Sequence, residues 1–548
     1  MKNDNLKLKI LRNAILCSLL LLVFFIPFMA MLNFSPAYDE VTHLPSGYSY
    51  LRTGEIKLNP QHPPFIKIIA ALPLLFLDLK FDPIRTNGSQ RDPTSNGTGA
   101  NDPNLVGPQT NEWQFGRNFL SDNGVDRVLF WGRIPMILLS VLLGFYVFKW
   151  GKEMFSYRAG VFGLMIYAFM PNLITHAQFV ATDMGLAVFS FISVYYFWRL
   201  LKVESRSRVD LVLTGVFLGL ALGSKFSAIF LLPVFPVLSV VYFIKKPGLV
   251  LYKFNSLLKI ILPIYGLAFL VVWALYFFPS DPLFYWKGLK TVYADNNPTF
   301  EYYLNGNFKE GGWWYYFLEA FIIKTPIPFL IAILAAFLYL KKNGLNFLNN
   351  LVILLPVALF IFVTSWRAHN IGVRYILPMY PFLILFVSGY LSEKFRASSI
   401  KIKTAHVLIL ILGSWYIFSS VNAYPDYLAY FNELVGGSKN GYKYLDDSNI
   451  DWGHDLKRLA EYQKDNPNLK VALWTSADAA KFYSINNILP HSKIDTWLNP
   501  TGKYAVSINV LIRMKLASQL YKNDSLNWVD LYKPTDRIGQ SFFIYEFP

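Results

Sequence analysis

A single cysteine, Cys17, stands in 548 residues, so neither a disulfide framework nor a thiolate metal cage can form within the chain. Charge is sparse too: Asp, Glu, Lys and Arg make up 16% of residues, against roughly a quarter in an average soluble protein. There is no Walker loop, no Gly-rich dinucleotide fingerprint behind a strand and no HExxH helix, so no nucleotide and no resident cofactor is expected. No long-range internal repeat is visible, which argues against a transporter built from inverted repeats.

What the chain has instead is apolar residues, 54% of the total, bunched into long runs. Leu11–Leu32 carries almost no charge and is long enough to cross about 30 Å of hydrocarbon. It is too long and too apolar for an ordinary cleaved signal and reads as a retained first helix. Further runs follow at Val128–Trp150, Arg158–Ala177, Phe179–Leu201, Val209–Ile229, Phe230–Ile244, Leu257–Pro279, Phe317–Leu340, Leu348–Thr364, Val373–Leu391 and Thr404–Ala423, giving roughly eleven membrane spans. Lys and Arg collect in alternate loops: Lys149, Lys152 and Arg158, then Lys202 and Arg208, then Lys341, then Lys394 and Arg396. That is the positive-inside pattern for a cytoplasmic N-terminus. The net charge of +16 therefore sets topology and does not call for nucleic acid.

The same count puts two long loops, 33–126 and 280–316, and the tail 424–548 on the outer side, where the chemistry is expected. Residues 65–79 are too short for a span and read as an interfacial or re-entrant helix. Residues 82–109, rich in Asn, Gly, Pro, Asp and Ser, read as a flexible surface excursion. In the tail, Trp452–Gln463 has helical character, while Val471–Trp474, Tyr504–Val510 and Phe542–Phe547 are strand-like. The predicted fold class is a polytopic α-helical membrane protein, residues 1–423, with a soluble extracytoplasmic α/β domain, residues 424–548, set in a plasma or inner membrane.

Several segments carry residues fit for chemistry. Tyr38-Asp39-Glu40-Val41-Thr42-His43 follows the first helix. Two adjacent carboxylates at a membrane surface repel and are partly desolvated, which raises a pKa toward the general-base range, although acids at a helix start also complement its dipole. Asn59-Pro60-Gln61-His62-Pro63-Pro64 is a proline turn with His62 at its corner and Lys67 behind it. Thr182-Asp183 opens the fourth span, where an ionisable residue points to function unless it only caps the helix. Lys225, Lys324, His369 and Arg374 are outward cationic or titratable groups that depart from the topology trend. They either snorkel to headgroups or converge on a phosphate. Asp447 to Asp455 read mainly as helix caps.

In order and topology these segments resemble the polyprenyl-phosphate-sugar-dependent glycosyltransferases of GT-C fold, which include the protein O-mannosyltransferases and the aminoarabinose transferase of lipid A. Gly312-Trp313-Trp314-Tyr315-Tyr316-Phe317, Phe321-Ile322-Ile323-Lys324-Thr325-Pro326, Asn370-Ile371-Gly372-Val373-Arg374-Tyr375 and Tyr427-Leu428-Ala429-Tyr430-Phe431-Asn432-Glu433 are similar to the branch called phospholipid carrier-dependent glycosyltransferases. The likeness runs from the first helix to Asp451-Trp452-Gly453. It implies an outward-facing cavity. A sugar on a polyprenyl phosphate enters it from the bilayer, and a protein, lipid or glycan hydroxyl enters from outside. By this resemblance Asp39, with Glu40, and Asp183 are catalytic, while Lys225, Lys324, Arg374 and His62 face the carrier phosphate. Tyr38, His43, His369 and Tyr375 complete the expected site as substrate-binding residues. The aminoarabinose enzyme has Glu-Lys before its Pro-Pro where this chain has Gln61-His62. Glu40, His43 and His62 are then the residues available to a divalent metal.

The implied chemistry needs no acid, because the leaving group is already a phosphate. It needs a base for the hydroxyl and cations against the phosphate charge, with inversion at the anomeric carbon. Asp39 and Asp183 are expected in one cavity. The tail is expected to gate acceptor access without supplying a base. A transporter and a non-catalytic lipid-linked glycan-binding protein are the competing classes. Loss of sugar transfer with donor binding retained, on changing Asp39, separates an enzyme from both.

Overall fold

The computed structural model describes residues 2–82, 111–202, 207–244, 249–294, 299–343, 347–367, 369–396, 401–489 and 495–548. Apart from its first residue, the expected excursion at 82–109 lies outside them. In chain order the helices before the tail are α1 (Lys2–Met31), α2 (Glu40–Thr53), α3 (Phe65–Ala71), α4 (Asn111–Asn123), α5 (Val125–Met154), α6 (Tyr157–Ala168), α7 (Pro171–Ala177), α8 (Thr182–Lys202), α9 (Arg208–Ser224), α10 (Val234–Ile244), α11 (Val250–Leu275), α12 (Phe284–Ala294), α13 (Tyr316–Lys324), α14 (Ile327–Asn343), α15 (Phe347–Arg367), α16 (Met379–Arg396) and α17 (Lys401–Val421).

Among the described residues six helical stretches are long and apolar enough to cross a bilayer, or eight if each of two bent pairs is one span. The expected eleven is not reached by that measure: α9 has 17 residues, and the apolar part of α17 is only His406–Val421. The bends have a local cause. Proline lacks an N–H and drives the residue before it out of the helical region. Met170 before Pro171 and Thr325 before Pro326 are both extended. Accordingly α6 and α7 meet at 67°, and α13 and α14 at 114°. The expected spans 158–177 and 317–340 are therefore each broken. The two breaks meet, with Asn172 Nδ2 donating to Lys324 O at 2.8 Å and to the Tyr380 hydroxyl at 2.8 Å.

The described part of the first long loop is a folded layer. α2 lies buried along most of its length between α3 and α4. Gly47 lets it do so, because a Cβ there would run into the Lys67 carbonyl. Lys67 Nζ donates to the Asn59 carbonyl at 2.7 Å and the His62 carbonyl at 2.8 Å, which clamps the proline turn. α3 passes into a short 3-10 turn, Leu72–Phe76, that leaves Phe76 exposed. The second long loop holds α12 and a hairpin of β1 (Glu301–Leu304) and β2 (Asn307–Glu310).

In the tail, β3 (Lys470–Ala472), β4 (Gly502–Ser507), β5 (Asp536–Ile538) and β6 (Phe542–Phe547) form a sheet of order β3-β4-β6-β5, with β3 parallel to β4 and the other pairs antiparallel. The strand expected at 504–510 stops at Ser507, whose hydroxyl accepts the Val510 N–H and starts the helix Ile508–Tyr521. Residues 424–455 do not belong to this sheet. They pack down against the helices: Asn432 Nδ2 donates to the Ile322 and Thr325 carbonyls, and Asn449 Oδ1 accepts the Val373 N–H.

Candidate active site

The site starts where α1 ends. Residues 35–38 run beside the tail, with Ser35 N–H donating to His454 O at 2.9 Å and Tyr38 N–H to Trp452 O at 2.8 Å. Asp39 then stands just before α2. Its side chain makes no capping hydrogen bond; it receives Arg374 Nη1 at 2.7 Å, and the two side chains are 19% and 13% exposed. Glu40, one residue on, turns the other way. Its oxygens accept Arg133 Nε at 2.9 Å, Arg133 Nη2 at 2.6 Å, Ala37 N–H at 2.9 Å and Val180 N–H at 2.8 Å, with no exposure. The adjacent acids therefore have separate surroundings, and Glu40 is a structural pin between α1, α2, α5 and the residues before α8. With four donors on its oxygens and no exposure, the Glu40 carboxylate has no free edge toward the space that Asp39 faces.

A second pair faces the same space. Asp183, in the first turn of α8, receives Lys225 Nζ at 2.5 Å, so the capping reading of Asp183 gives way to an ion pair. Lys225 is presented by an extended residue between α9 and the next 3-10 turn. Tyr375 lies between the pairs, with Lys225 Nζ 4.6 Å and the Arg374 guanidinium 5.7 Å from its ring centre. Arg374 also packs on Trp452 at 4.8 Å, and its buried Nε has no hydrogen-bond partner among the described residues. Arg374 and Lys225 each act electrostatically on both Asp39 and Asp183, so the two pairs form one charged cluster around Tyr375.

Burial alone would raise the Asp39 carboxyl. Arg374, with smaller help from His43 and Lys225, outweighs it and holds the group below the ordinary carboxylate range. The sequence argument expected the opposite shift from a neighbouring Glu40, whose charge is instead neutralised by Arg133. His43 and His62 are lowered, first by burial, and are neutral near pH 7. His43 Nδ1 donates to Val180 O at 3.0 Å, and its ring meets His62 edge-on at 5.1 Å. A neutral His62 supplies no cation for a phosphate. With Glu40 saturated by Arg133, the set Glu40, His43 and His62 does not fit a metal, and no other group of three such ligands occurs among the described residues.

Lys324 is also elsewhere. Buried at the α13–α14 break, its Nζ donates to Leu428 O at 2.7 Å and Asn449 O at 2.6 Å, tying the helices to the tail. Tyr38 sits at the rim, its ring 5.0 Å from Trp113 and 6.2 Å from Trp474. His369 Nδ1 pairs with the Tyr302 hydroxyl of β1 at 2.5 Å and forms wall. Sequence reasoning read Asp447 mainly as a cap and gave Trp452 no part in the site, although Trp452 packs on Arg374 and Asp447 lies within electrostatic reach of it. Their local pattern of Asp, Ser, Asn and Gly reads as capping, yet Asp455, at the cap position of the helix Leu456–Asp465, makes no capping bond. Gly453, at φ +73°, is the signal that a special turn stands there.

Residues 125–277, which include Asp183 and Lys225, match the family described as dolichyl-phosphate-mannose-protein mannosyltransferase. No curated protein matches the chain. Among solved structures, ArnT from Cupriavidus metallidurans in the apo state aligns over 96% of this chain and 97% of its own, at 12% identity and a TM-score of 0.50. The Archaeoglobus fulgidus oligosaccharyltransferase in the apo form covers 75% of this chain and 56% of its own at 13% identity and a TM-score of 0.43. The S. cerevisiae protein O-mannosyltransferase Pmt1-Pmt2 complex bound to the sugar donor covers 51% and 34% at 16% identity and 0.35. The last two are too distant in fold to carry an argument. The likeness read from the motifs holds for the segment that carries Asp183 and Lys225 and, through ArnT, for the GT-C fold of the whole chain.

Proposed function

We propose that this chain, which shares its fold with ArnT and a segment with the mannosyltransferase family, moves a sugar from a polyprenyl phosphate to an acceptor hydroxyl at the outer face of the membrane. One observation carries the reading: two carboxylates and two cations, Asp39–Arg374 and Asp183–Lys225, bracket Tyr375. A transporter or a passive binding protein has no need of a carboxylate held ionised next to a half-used arginine fork.

The donor phosphate binds between Lys225 and Arg374, whose unpartnered Nε offers a second donor edge. As the guanidinium turns to the phosphate, Asp39 loses its cation and becomes the stronger base. Asp39 takes the acceptor proton, the hydroxyl oxygen attacks the anomeric carbon from the face opposite the phosphate, and the C–O bond breaks with its electrons leaving on the phosphate. The configuration inverts. The two cations stabilise the charge that builds on the phosphate oxygens. Asp183 holds Lys225 in place. The sugar is a hexose or pentose, and no step runs through a metal. The test is turnover by the purified chain in nanodiscs, with radiolabelled polyprenyl-phosphate sugars of both sizes. Asp39→Asn should abolish release of polyprenyl phosphate while still binding it. Wild-type turnover in that variant rejects the mechanism, and failure of the wild-type chain to bind any polyprenyl phosphate rejects the function.

A further inference from the structure

Two of the basic residues that mark topology line a cavity at the other end of the helix bundle. On α5, Arg133 binds Glu40 beside Asp39, and Met154 closes the helix. On α1, Arg133 Nη1 holds the carbonyl of Met31, the last residue, and Arg12 stands toward the start. At about 1.5 Å per residue, both separations come to about 30 Å, the depth of the hydrocarbon. At that far end Arg12, Met154, Ser156, Arg158, Ser392 and Glu393 surround a cavity of about 730 Å³. Its polar wall is fixed by contacts. Arg12 lies over the Tyr157 ring at 4.9 Å, and the Tyr157 hydroxyl donates to the Arg12 carbonyl at 2.9 Å. The Ser156 hydroxyl shares a hydrogen bond with that of Ser392 at 2.5 Å and accepts the Ala159 N–H, so it starts α6 and ties it to α16. Acids at this end are engaged elsewhere: Glu153 pairs with Lys149 at 2.9 Å, and Glu393 takes the Tyr339 hydroxyl. Among the described residues neither Arg12 nor Arg158 makes an ion pair.

An apolar slot continues inward from this cavity. On α6, helical spacing puts Phe162, Met165 and Ile166 of the slot on the face that Arg158 heads, and on α16 Leu391 of the slot adjoins Ser392 of the cavity. The slot lies among α6, α14, α16 and α17 and reaches Ile166, about 12 Å below Arg158. At Gly413 in its wall a Cβ would meet nothing within 4 Å.

We propose that the cavity and slot bind an anionic glycerophospholipid of the leaflet opposite the charged cluster, its phosphate between Arg12 and Arg158 and one acyl chain in the slot. This does not depend on the sugar-transfer reading. Basic pockets between membrane helices attract anionic headgroups, and a guanidinium fork grips a phosphate with two parallel hydrogen bonds. The start of α6 lies in the same wall, and first-turn N–H groups favour an anion. A choline headgroup would bring its own cation to two arginines. A free phosphate has no use for an apolar slot as deep as about half the hydrocarbon.

The probe is dioleoyl phosphatidylglycerol, compared with dioleoyl phosphatidylcholine, titrated onto the full chain in detergent and counted by native mass spectrometry. The wild type should retain one phosphatidylglycerol in preference to phosphatidylcholine. Arg12→Gln and Arg158→Gln should each weaken it about five-fold, the effect of one basic residue at a headgroup. Lys152→Gln, exposed at the same end but outside the cavity, should leave it unchanged. Gly413→Leu fills the slot and should weaken the dioleoyl lipid while leaving dihexanoyl phosphatidylglycerol unchanged. A photoactivatable phosphatidylglycerol should label α6 and α17 of the wild type, which tests the site without any variant. No preference for phosphatidylglycerol, equal losses in Lys152→Gln and Arg158→Gln, labelling elsewhere, or displacement of the lipid by inorganic phosphate or by polyprenyl phosphate at equal concentration would each overturn the proposal.

Discussion

Glu40→Gln separates a structural acid from a chemical one. Glu40 Oε1 accepts Arg133 Nε and the Val180 N–H, and Oε2 accepts Arg133 Nη2 and the Ala37 N–H. A glutamine must place its NH2 group where one of those oxygens was. Either orientation sets it against two donors, so two hydrogen bonds become donor–donor contacts. Arg133, 2% exposed, also loses its counter-charge. Hydrogen bonds to a charged group contribute about 1.5–3 kcal/mol each, and breaking one side of a buried ion pair costs about 3–5 kcal/mol. The two scales agree on a loss of roughly 3–5 kcal/mol. Thermal unfolding of the detergent-solubilised chain, followed by loss of the monodisperse peak in size-exclusion chromatography, should show a clear drop for Glu40→Gln. Asp39→Asn, in a pair that is 19% and 13% exposed and whose arginine keeps Asp183 nearby, should lose less stability than Glu40→Gln while losing turnover. A Glu40→Gln protein that melts with the wild type yet turns over nothing would refute this division of labour.

Other consequences follow from the same geometry. Arg374→Gln removes the cation that holds Asp39 low against its burial, so the acid limb of kcat/KM should move to higher pH; an unmoved limb means that Asp39 is not the group titrating. In the wild type that lowered carboxyl contributes stability above the unfolded value of about 3.9 and loses it only as pH falls through the lower folded value, so no loss is expected near neutrality. Lys324→Met leaves the Leu428 and Asn449 carbonyls without their donor and should lower the melting temperature while leaving polyprenyl phosphate affinity unchanged; a weakened affinity would return Lys324 to the phosphate site. Burial pushes Asp446, despite Arg513, and Asp451 up to about 7 each, so their contribution is fully present below about pH 4 and is lost as pH rises through 7. Hydrogen exchange in 446–455, corrected for intrinsic rate, should be faster at pH 8 than at pH 5.5, and Asp446→Asn should flatten the difference; equal rates would contradict the burial argument.

The sequence by itself determined what depends on composition and run length. Apolar runs near 20 residues with basic residues in alternate loops leave a membrane helix bundle as the outcome, because unpaired backbone in hydrocarbon is prohibitive. The Asp39, Asp183, Lys225 and Arg374 positions were legible for the same reason: charges at the ends of apolar runs are few and conspicuous. Only the tertiary structure decided how those charges are used. Asp39 and Glu40 are neighbours in the chain, but the first turn of a helix sends adjacent side chains in different directions, one to Arg374 and the other to Arg133 93 residues on. Lys324 and Arg374 both read as outward cations, yet the 114° break at Pro326 takes Lys324 into a nest of carbonyls. Asp447 read as a helix cap and Trp452 as the start of a helix, both in a separate domain. Folding 424–455 back onto the helices brings them to the charged cluster, through contacts such as Asn449 with Val373 that join residues 76 apart. No local pattern carries such a pairing, because its energy comes from burial and hydrogen bonds that exist only once both segments are in place.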